Sequence, residues 1–270
     1  MSRRNSLRAL TSLAAALFLT SCGTAGWKLA WSDEFNGTTA GEAPDAAKWS
    51  FEIGGGGWGN NQREFDTDRT ANASLDGTGN LAIVARQESV AGNNYTSARL
   101  ITRGHLEQKY GRFEARIKLP SGRGLWPAFW LIGANCQSAP WPACGEIDVM
   151  EARGQEPRLV HGSMHGPGYS GGSAITRPYS SLPGSAGFDA DFHVYAIEWQ
   201  SDQVAFFVDD VLYNTVFASQ VPGSRWVFDH PFYVILNLAV GGNYVGNPDT
   251  TVTFPQSMLV DYVRVYERDR

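Results

Sequence analysis

An antiparallel β-sandwich is the fold that this 270-residue sequence predicts. Three observations point there. Phe113, Ala115, Ile117 and Leu119 alternate with Arg112, Glu114, Arg116 and Lys118, the period-two pattern of a strand with one buried face. Val204–Val208, then Asp209-Asp210, then Val211–Tyr213 reads as a tight two-residue hairpin. The remaining apolar runs, among them Phe232–Leu236 and Leu259–Tyr266, are short and parted by Gly, Pro, Asn and Asp, with almost no helical periodicity. No internal repeat, low-complexity segment or interdomain linker interrupts the series.

The first 22 residues stand outside that pattern. Arg3, Arg4 and Arg8 precede an apolar run from Ala9 to Leu19, and no acid occurs before Asp33, which reads as a signal peptide. Leu19-Thr20-Ser21-Cys22 resembles a bacterial lipobox, implying cleavage before Cys22, lipidation of its thiol, and an exported protein held at the cell envelope or secreted. The apolar run is too short to span a bilayer, so a lipid anchor is the one membrane contact expected. Residues 23–270 are then long enough for a single β domain with a sizeable core, expected as a monomer. Losing three arginines and no acid moves the formal net charge from −5 to −8, which argues against nucleic acid and fits a neutral partner. Cys136 and Cys144, eight positions apart in an exported chain, predict a short disulfide-closed loop. Two sulfurs without a paired His do not make a zinc site.

The next segment, Gly145-Glu146-Ile147-Asp148-Val149-Met150-Glu151, puts three acids into a run that otherwise reads as a buried strand. Glu146 and Asp148 share a face by parity, and Glu151 falls on the other. One extra residue bulged out around Val149-Met150 would return Glu151 to the side of its fellows. Burying three acids without a cation is costly, and such local costs concentrate at functional sites. Carboxyls held close cannot all ionise, so one supplies a nucleophile while another keeps its proton as a general acid, the pair that cleaves an acetal. Carboxyls about 5 Å apart imply double displacement with retention. An oxygen-liganded ion is the rival use of such a cluster.

Glu146-Ile-Asp148-Val-Met-Glu151 resembles the E-x-D-x-x-E signature of glycoside hydrolase family 16, in the form carried by its laminarinases; the lichenase branch has a form one residue shorter. Other stretches resemble the same family in the same order. Trp58-Gly-Asn60 sits in a glycine-rich loop like the family's G-W-G-N loop, which lines the substrate groove, although Gln62 stands where that family usually has Glu. Ser97-Ala-Arg99 and Tyr110–Arg116 match two further motifs. Gly124-Leu-Trp126-Pro-Ala-Phe-Trp130 matches another, and parity places Trp126, Ala128 and Trp130 on one face with Phe129 in the core. Trp141, in the cysteine loop, is a weaker groove candidate. His165 matches the family's histidine beside the acid strand, whereas His161 reads as a satisfied structural group. Asn237–Asn243 resembles N-L-A-V-G-G-N, whose last Asn reaches the groove.

The resemblance runs from Trp31 to Tyr266 and implies a concanavalin-like β-jelly-roll sandwich of two antiparallel sheets with a concave substrate groove. It implies an endo-acting retaining hydrolase of β-1,3-glucan with Glu146 as nucleophile, Glu151 as acid/base, and Asp148 ordering their protonation. Trp58, Asn60, Arg99, Trp126, Trp130, His165 and Asn243 would meet sugar, with aromatic rings against its apolar faces. No catalytic cofactor is implied. A structural calcium is, through backbone carbonyls of Glu34 and Gly79 and the carboxylate of Asp261. Mixed-linkage glucan or a galactan is the alternative substrate, with transglycosylation open to the same intermediate. A carbohydrate-binding surface lipoprotein without turnover is the alternative from another class.

Overall fold

The computed structural model describes residues 26–269, so the signal segment 1–22 and Cys22 lie outside the described residues. In chain order the strands are β1 (Trp27–Asp33), β2 (Ser50–Phe51), β3 (Glu64–Asp66), β4 (Ala73–Leu75), β5 (Leu81–Ala85), β6 (Tyr95–Ser97), β7 (Arg99–Ile101), β8 (Gly111–Lys118) and β9 (Leu125–Gly133). There follow β10 (Glu146–Ala152), β11 (Leu159–His165), β12 (Ile175–Ser180), β13 (His193–Trp199), β14 (Gln203–Val208), β15 (Val211–Phe217), β16 (Phe232–Val240) and β17 (Gln256–Arg268).

Two antiparallel sheets face each other. One has the order β12-β11-β10-β9-β16-β7-β2. The other runs β15-β14-β13-β8-β17-β5-β4, with β1 also paired to β17. Consecutive strands meander within a sheet, and β16 and β17 then cross into the middle of opposite sheets. This is the two-sheet sandwich that the alternating pattern predicts.

The hairpin forms where expected. Asp209 and Asp210 both take positive φ, 48° and 61°, the conformation a two-residue turn needs to match strand twist. Phe113, Ala115 and Ile117 of β8 point into the core with Trp199, Phe206 and Met258. Across from them lie Phe129 and Leu131 of β9, Met150 of β10, and Val234, Leu236 and Leu238 of β16. Trp199 packs edge-on against Tyr110 and Phe232 at centroid distances of 5.2 and 5.0 Å.

The other side of β8 differs from the expectation of a solvated face. Arg112 is buried at 4% side-chain exposure and pairs with Glu114, Glu198 and Asp210. The Tyr266 hydroxyl donates to Glu114 from β17. Cross-strand neighbours supply both partners and cover, which parity within one strand does not reveal.

Because the core face of the seven-stranded sheet takes Phe129, Leu131, Leu236 and Leu238, period two sends Trp126, Ala128, Trp130 and Asn237 to its outer face. That face carries the acids.

Candidate active site

The extra residue in β10 lies where parity demands it. Against β11, Asp148 is opposite Ser163 and Glu151 is opposite His161, so Val149 and Met150 share the single partner Gly162. Against β9 the register slips between Asp148 and Met150, leaving Asp148 beside Trp130 and Glu151 beside Ala128. Ile147 and Met150 stay in the core, and Glu146, Asp148 and Glu151 share the outer face. An added Cβ at Gly162 would come within 2.6 Å of the Phe206 ring, so glycine opposite the bulge is what lets the sheets close.

Each outer glutamate receives an indole N–H. Trp126 Nε1 donates to Glu151 Oε1 and Trp141 Nε1 to Glu146 Oε2, both at 2.9 Å. Trp141 reaches Glu146 because Cys136 and Cys144 are disulfide-bonded, folding the loop over the end of β10. His165 lies directly across from Glu146. Its Nε2 is 2.9 Å from Asp148 Oδ2 and 3.6 Å from Glu146 Oε1. The Gly171 N–H donates to Nδ1, so the neutral ring carries its proton on Nε2, facing the two carboxyls. The histidine therefore serves Glu146 and Asp148 at first hand, rather than the Glu151 side expected for it.

Burial raises all three acids. Loss of water and then the Asp148 charge push Glu146 up to about 8, opposed by His165 and the Trp141 N–H. Burial pushes Asp148 to about 7, against a hydrogen bond with Glu146. Glu151 goes furthest, well above the ordinary carboxylate range, through burial and then the charges of Asp148 and Glu146. The first proton is thus lost from the Asp148–Glu146 pair and the last from Glu151. That order gives a nucleophile and a general acid at one site.

Glu146, Asp148 and His165 place ligand atoms within 4.8 Å of one another, close enough for a cation. With Nδ1 accepting from Gly171, Nε2 presents a proton there instead of a lone pair, which favours proton sharing over metal ligation.

The substrate candidates fall in two groups. Trp126 stacks at 4.9 Å on Tyr244, whose hydroxyl meets His161 Nδ1 at 3.0 Å. Trp130 donates to Asn237 Oδ1 at 2.8 Å. The Arg99 guanidinium lies between the rings of Trp58 and Trp130, 4.7 Å from each, and its Nε donates to Glu52 at 2.6 Å. It is held as part of this wall, with its charge matched. Trp58 stands in the turn Gly57–Gly59 with φ 48°. Asn60 contributes its backbone carbonyl, accepting the Asn243 N–H at 2.8 Å, while the neighbouring Asn61 side chain donates to Asn243 Oδ1. Asn60 was the residue expected to reach sugar; the amide joined to Asn243 belongs to Asn61. Tyr244 and Asn237 carry no local sequence signal of their roles, although both flank the Asn237–Asn243 motif.

The calcium positions converge only in part. Leu81 pairs with Val260 and Asp33 with Val263, bringing the Gly79 turn and Glu34 to either side of Asp261 on β17. Arg116 Nη1 already binds Asp261 Oδ2, and Arg264 donates to both Glu34 oxygens at 3.0 and 2.7 Å. A cation at Asp261 would have to displace an arginine. This donor set does not fit calcium.

The family description "Glycosyl hydrolases family 16" matches residues 58–264. The chain is 43% identical to a β-glucanase of Rhodothermus marinus over 248 residues, 89% of this chain and 85% of that protein. The laminarinase catalytic domain of Thermotoga maritima MSB8 superposes with a TM-score of 0.85 at 46% identity, over 90% of this chain and 99% of that one. An endo-β-1,3-glucanase of Pyrococcus furiosus gives a TM-score of 0.85 at 47% identity, covering 90% and 95%.

Proposed function

Because this chain belongs to glycosyl hydrolase family 16, we propose that it is an endo-acting hydrolase of laminarin-type β-1,3-glucan working by double displacement. The observation that carries the reading is the β10 bulge, which sets Glu151 on the face of Glu146 and Asp148. A protein that only binds carbohydrate has no need of three buried acids in graded protonation states.

In the first step the Glu146 carboxylate attacks the anomeric carbon as Glu151 gives its proton to the departing glycosidic oxygen, breaking the C–O bond and forming a glycosyl ester on Glu146. In the second, the Glu151 carboxylate takes a proton from water, the water oxygen attacks the same carbon, and Glu146 leaves as carboxylate. Asp148, with the His165 Nε2–H facing it, holds the proton that would otherwise neutralise Glu146. Trp58, Trp126, Trp130 and the half-exposed Trp141 offer ring faces to sugar.

Incubation with laminarin, barley β-glucan and agarose, read by new reducing ends, tests the substrate. Laminarin is expected to be cut fastest; release from agarose alone would overturn the glucan reading and keep the mechanism. Binding without release from any polymer would move the protein to the non-catalytic class. An exported protein anchored through Cys22 belongs to the same proposal, supported by the Cys136–Cys144 disulfide. Palmitate incorporation that persists in Cys22→Ser would remove the anchor.

A further inference from the structure

Strand β3 is built inside out. Glu64 and Asp66 are buried at 0% and 2% exposure, while Phe65 between them is only partly buried. Neither acid belongs to the catalytic trio, and no arginine or lysine forms an ion pair with either among the described residues. Glu64 Oε1 and Asp66 Oδ1 are each without a hydrogen-bond partner. So is the hydroxyl of Ser97, which pairs with Asp66 across β6. Two carboxylates side by side in such a space would be costly, whereas a carboxyl and a carboxylate that share one proton satisfy each other.

The pair lies at the foot of two loops. Glu64 Oε2 accepts the Val240 N–H at 2.8 Å, and the Arg63 N–H donates to the Val240 carbonyl at 2.8 Å. This ties β3 to the end of β16, where the Gly241–Asn243 turn begins. Asp66 and Gly54 exchange both backbone hydrogen bonds, at 3.1 and 2.8 Å, closing the base of the loop that carries Trp58 and Asn61. The Trp58 indole N–H acts on Asp66 from within that loop. At their far ends the two loops meet again through Asn61 and Asn243.

We propose that Glu64 and Asp66 are positioning residues for the substrate: a carboxyl pair sharing one proton, which clamps the Trp58 loop to the Gly241–Asn243 turn and releases it when that proton is lost. This rests on the glucanase reading for its substrate, though not for its chemistry. The charged groups acting on the pair are Arg99 of β7 and Glu52 beyond β2, which oppose each other at Asp66. Arg63 turns its guanidinium to Asn247, and β6 offers Tyr95, Thr96 and Ser97, uncharged at neutral pH. Burial, then the Asp66 charge, raises Glu64 to about 8, and burial raises Asp66 to about 7. The folded state therefore binds more protons than the unfolded. The clamp is complete below the ordinary carboxylate range and weakens as pH rises through 7 to 8.

The test measures KM for laminarin from about pH 6 to about pH 9.5 in the wild-type protein, Glu64→Gln and Asp66→Asn. Wild-type KM is expected to rise above about pH 8, by up to about tenfold per pH unit. Glutamine keeps an oxygen for the Val240 N–H and adds a permanent donor, so the Glu64→Gln profile should be flat. A wild-type KM that does not rise, or a rise of equal size in both proteins, would overturn the proposal. Asp66→Asn gives the same reading if Glu64→Gln does not fold. Hydrogen-exchange protection factors over residues 54–63, measured across the same pH range, judge the clamp without turnover. Loss of protection with pH in the wild type alone supports it, and equal loss in wild type and variant overturns it. Absence of turnover on every glucan would instead count against the substrate reading.

Discussion

Glu146→Ala lowers kcat on laminarin by about 10⁴-fold or more, and Glu151→Ala by about 10²- to 10⁴-fold, with the fold intact in both. The two losses should differ in kind. With the nucleophile gone, added azide attacks the anomeric carbon from the vacated side while Glu151 still protonates the leaving oxygen, and the product is an α-glycosyl azide. With the acid/base gone, the ester on Glu146 still forms, slowly, and azide needs no base to attack it, so the product is a β-glycosyl azide. A β product from Glu146→Ala would reassign the nucleophile. Equal silence of both variants to azide would point to groups other than this pair. The prediction follows from position: Glu146 sits across from His165, Glu151 across from His161, and the trio shares one face.

The second large effect concerns pH. The active form needs Glu146 ionised and Glu151 protonated, so kcat/KM rises with pH as Glu146 loses its proton and falls as Glu151 loses its own. Both groups are raised by burial first, and the Asp148 charge raises each further. Asp148→Asn removes that charge and stabilises both neighbouring carboxylates. Both limbs of the bell should therefore move to lower pH, the acidic limb from near 8 toward the ordinary carboxylate range. Burial remains, so the shift stops short of it. kcat should also fall, by about 10- to 100-fold, because the His165 proton loses its charged acceptor. A bell that stays in place, or moves to higher pH, would mean that Asp148 does not order the two protonation states.

The sandwich was legible because β8 and the Asp209-Asp210 hairpin are local patterns, complete within one or two strands. The bulge was legible for the same reason. Three acids at spacings of two and three, in a run whose other members are apolar, leave one arrangement that buries the apolar side chains and gathers the acids. What stayed hidden depends on pairing between distant segments. Glu64-Phe-Asp66 reads as an exposed edge until β6 lies parallel beside it and covers both acids. Arg112 reads as solvated until Glu198 and Asp210 arrive from the neighbouring hairpin. Tyr244 follows a recognisable motif, yet its contacts with Trp126 and His161 join segments more than eighty residues apart. Trp141 gained its role from the disulfide that turns its loop back over β10. The calcium positions failed for a related reason. Register brings the three residues together, but Arg116 and Arg264 reach them from across the sheet.

The central claim is that one bulged residue returns Glu151 to the side of Glu146, making the reaction a double displacement. Proton NMR of the anomeric region during the first minutes of oligosaccharide cleavage tests it most directly. The account predicts that the β-anomer of the new reducing end appears first, with the α-anomer growing in only by mutarotation. An α-anomer formed first would mean single displacement by water, and would contradict the placement of these two carboxyls.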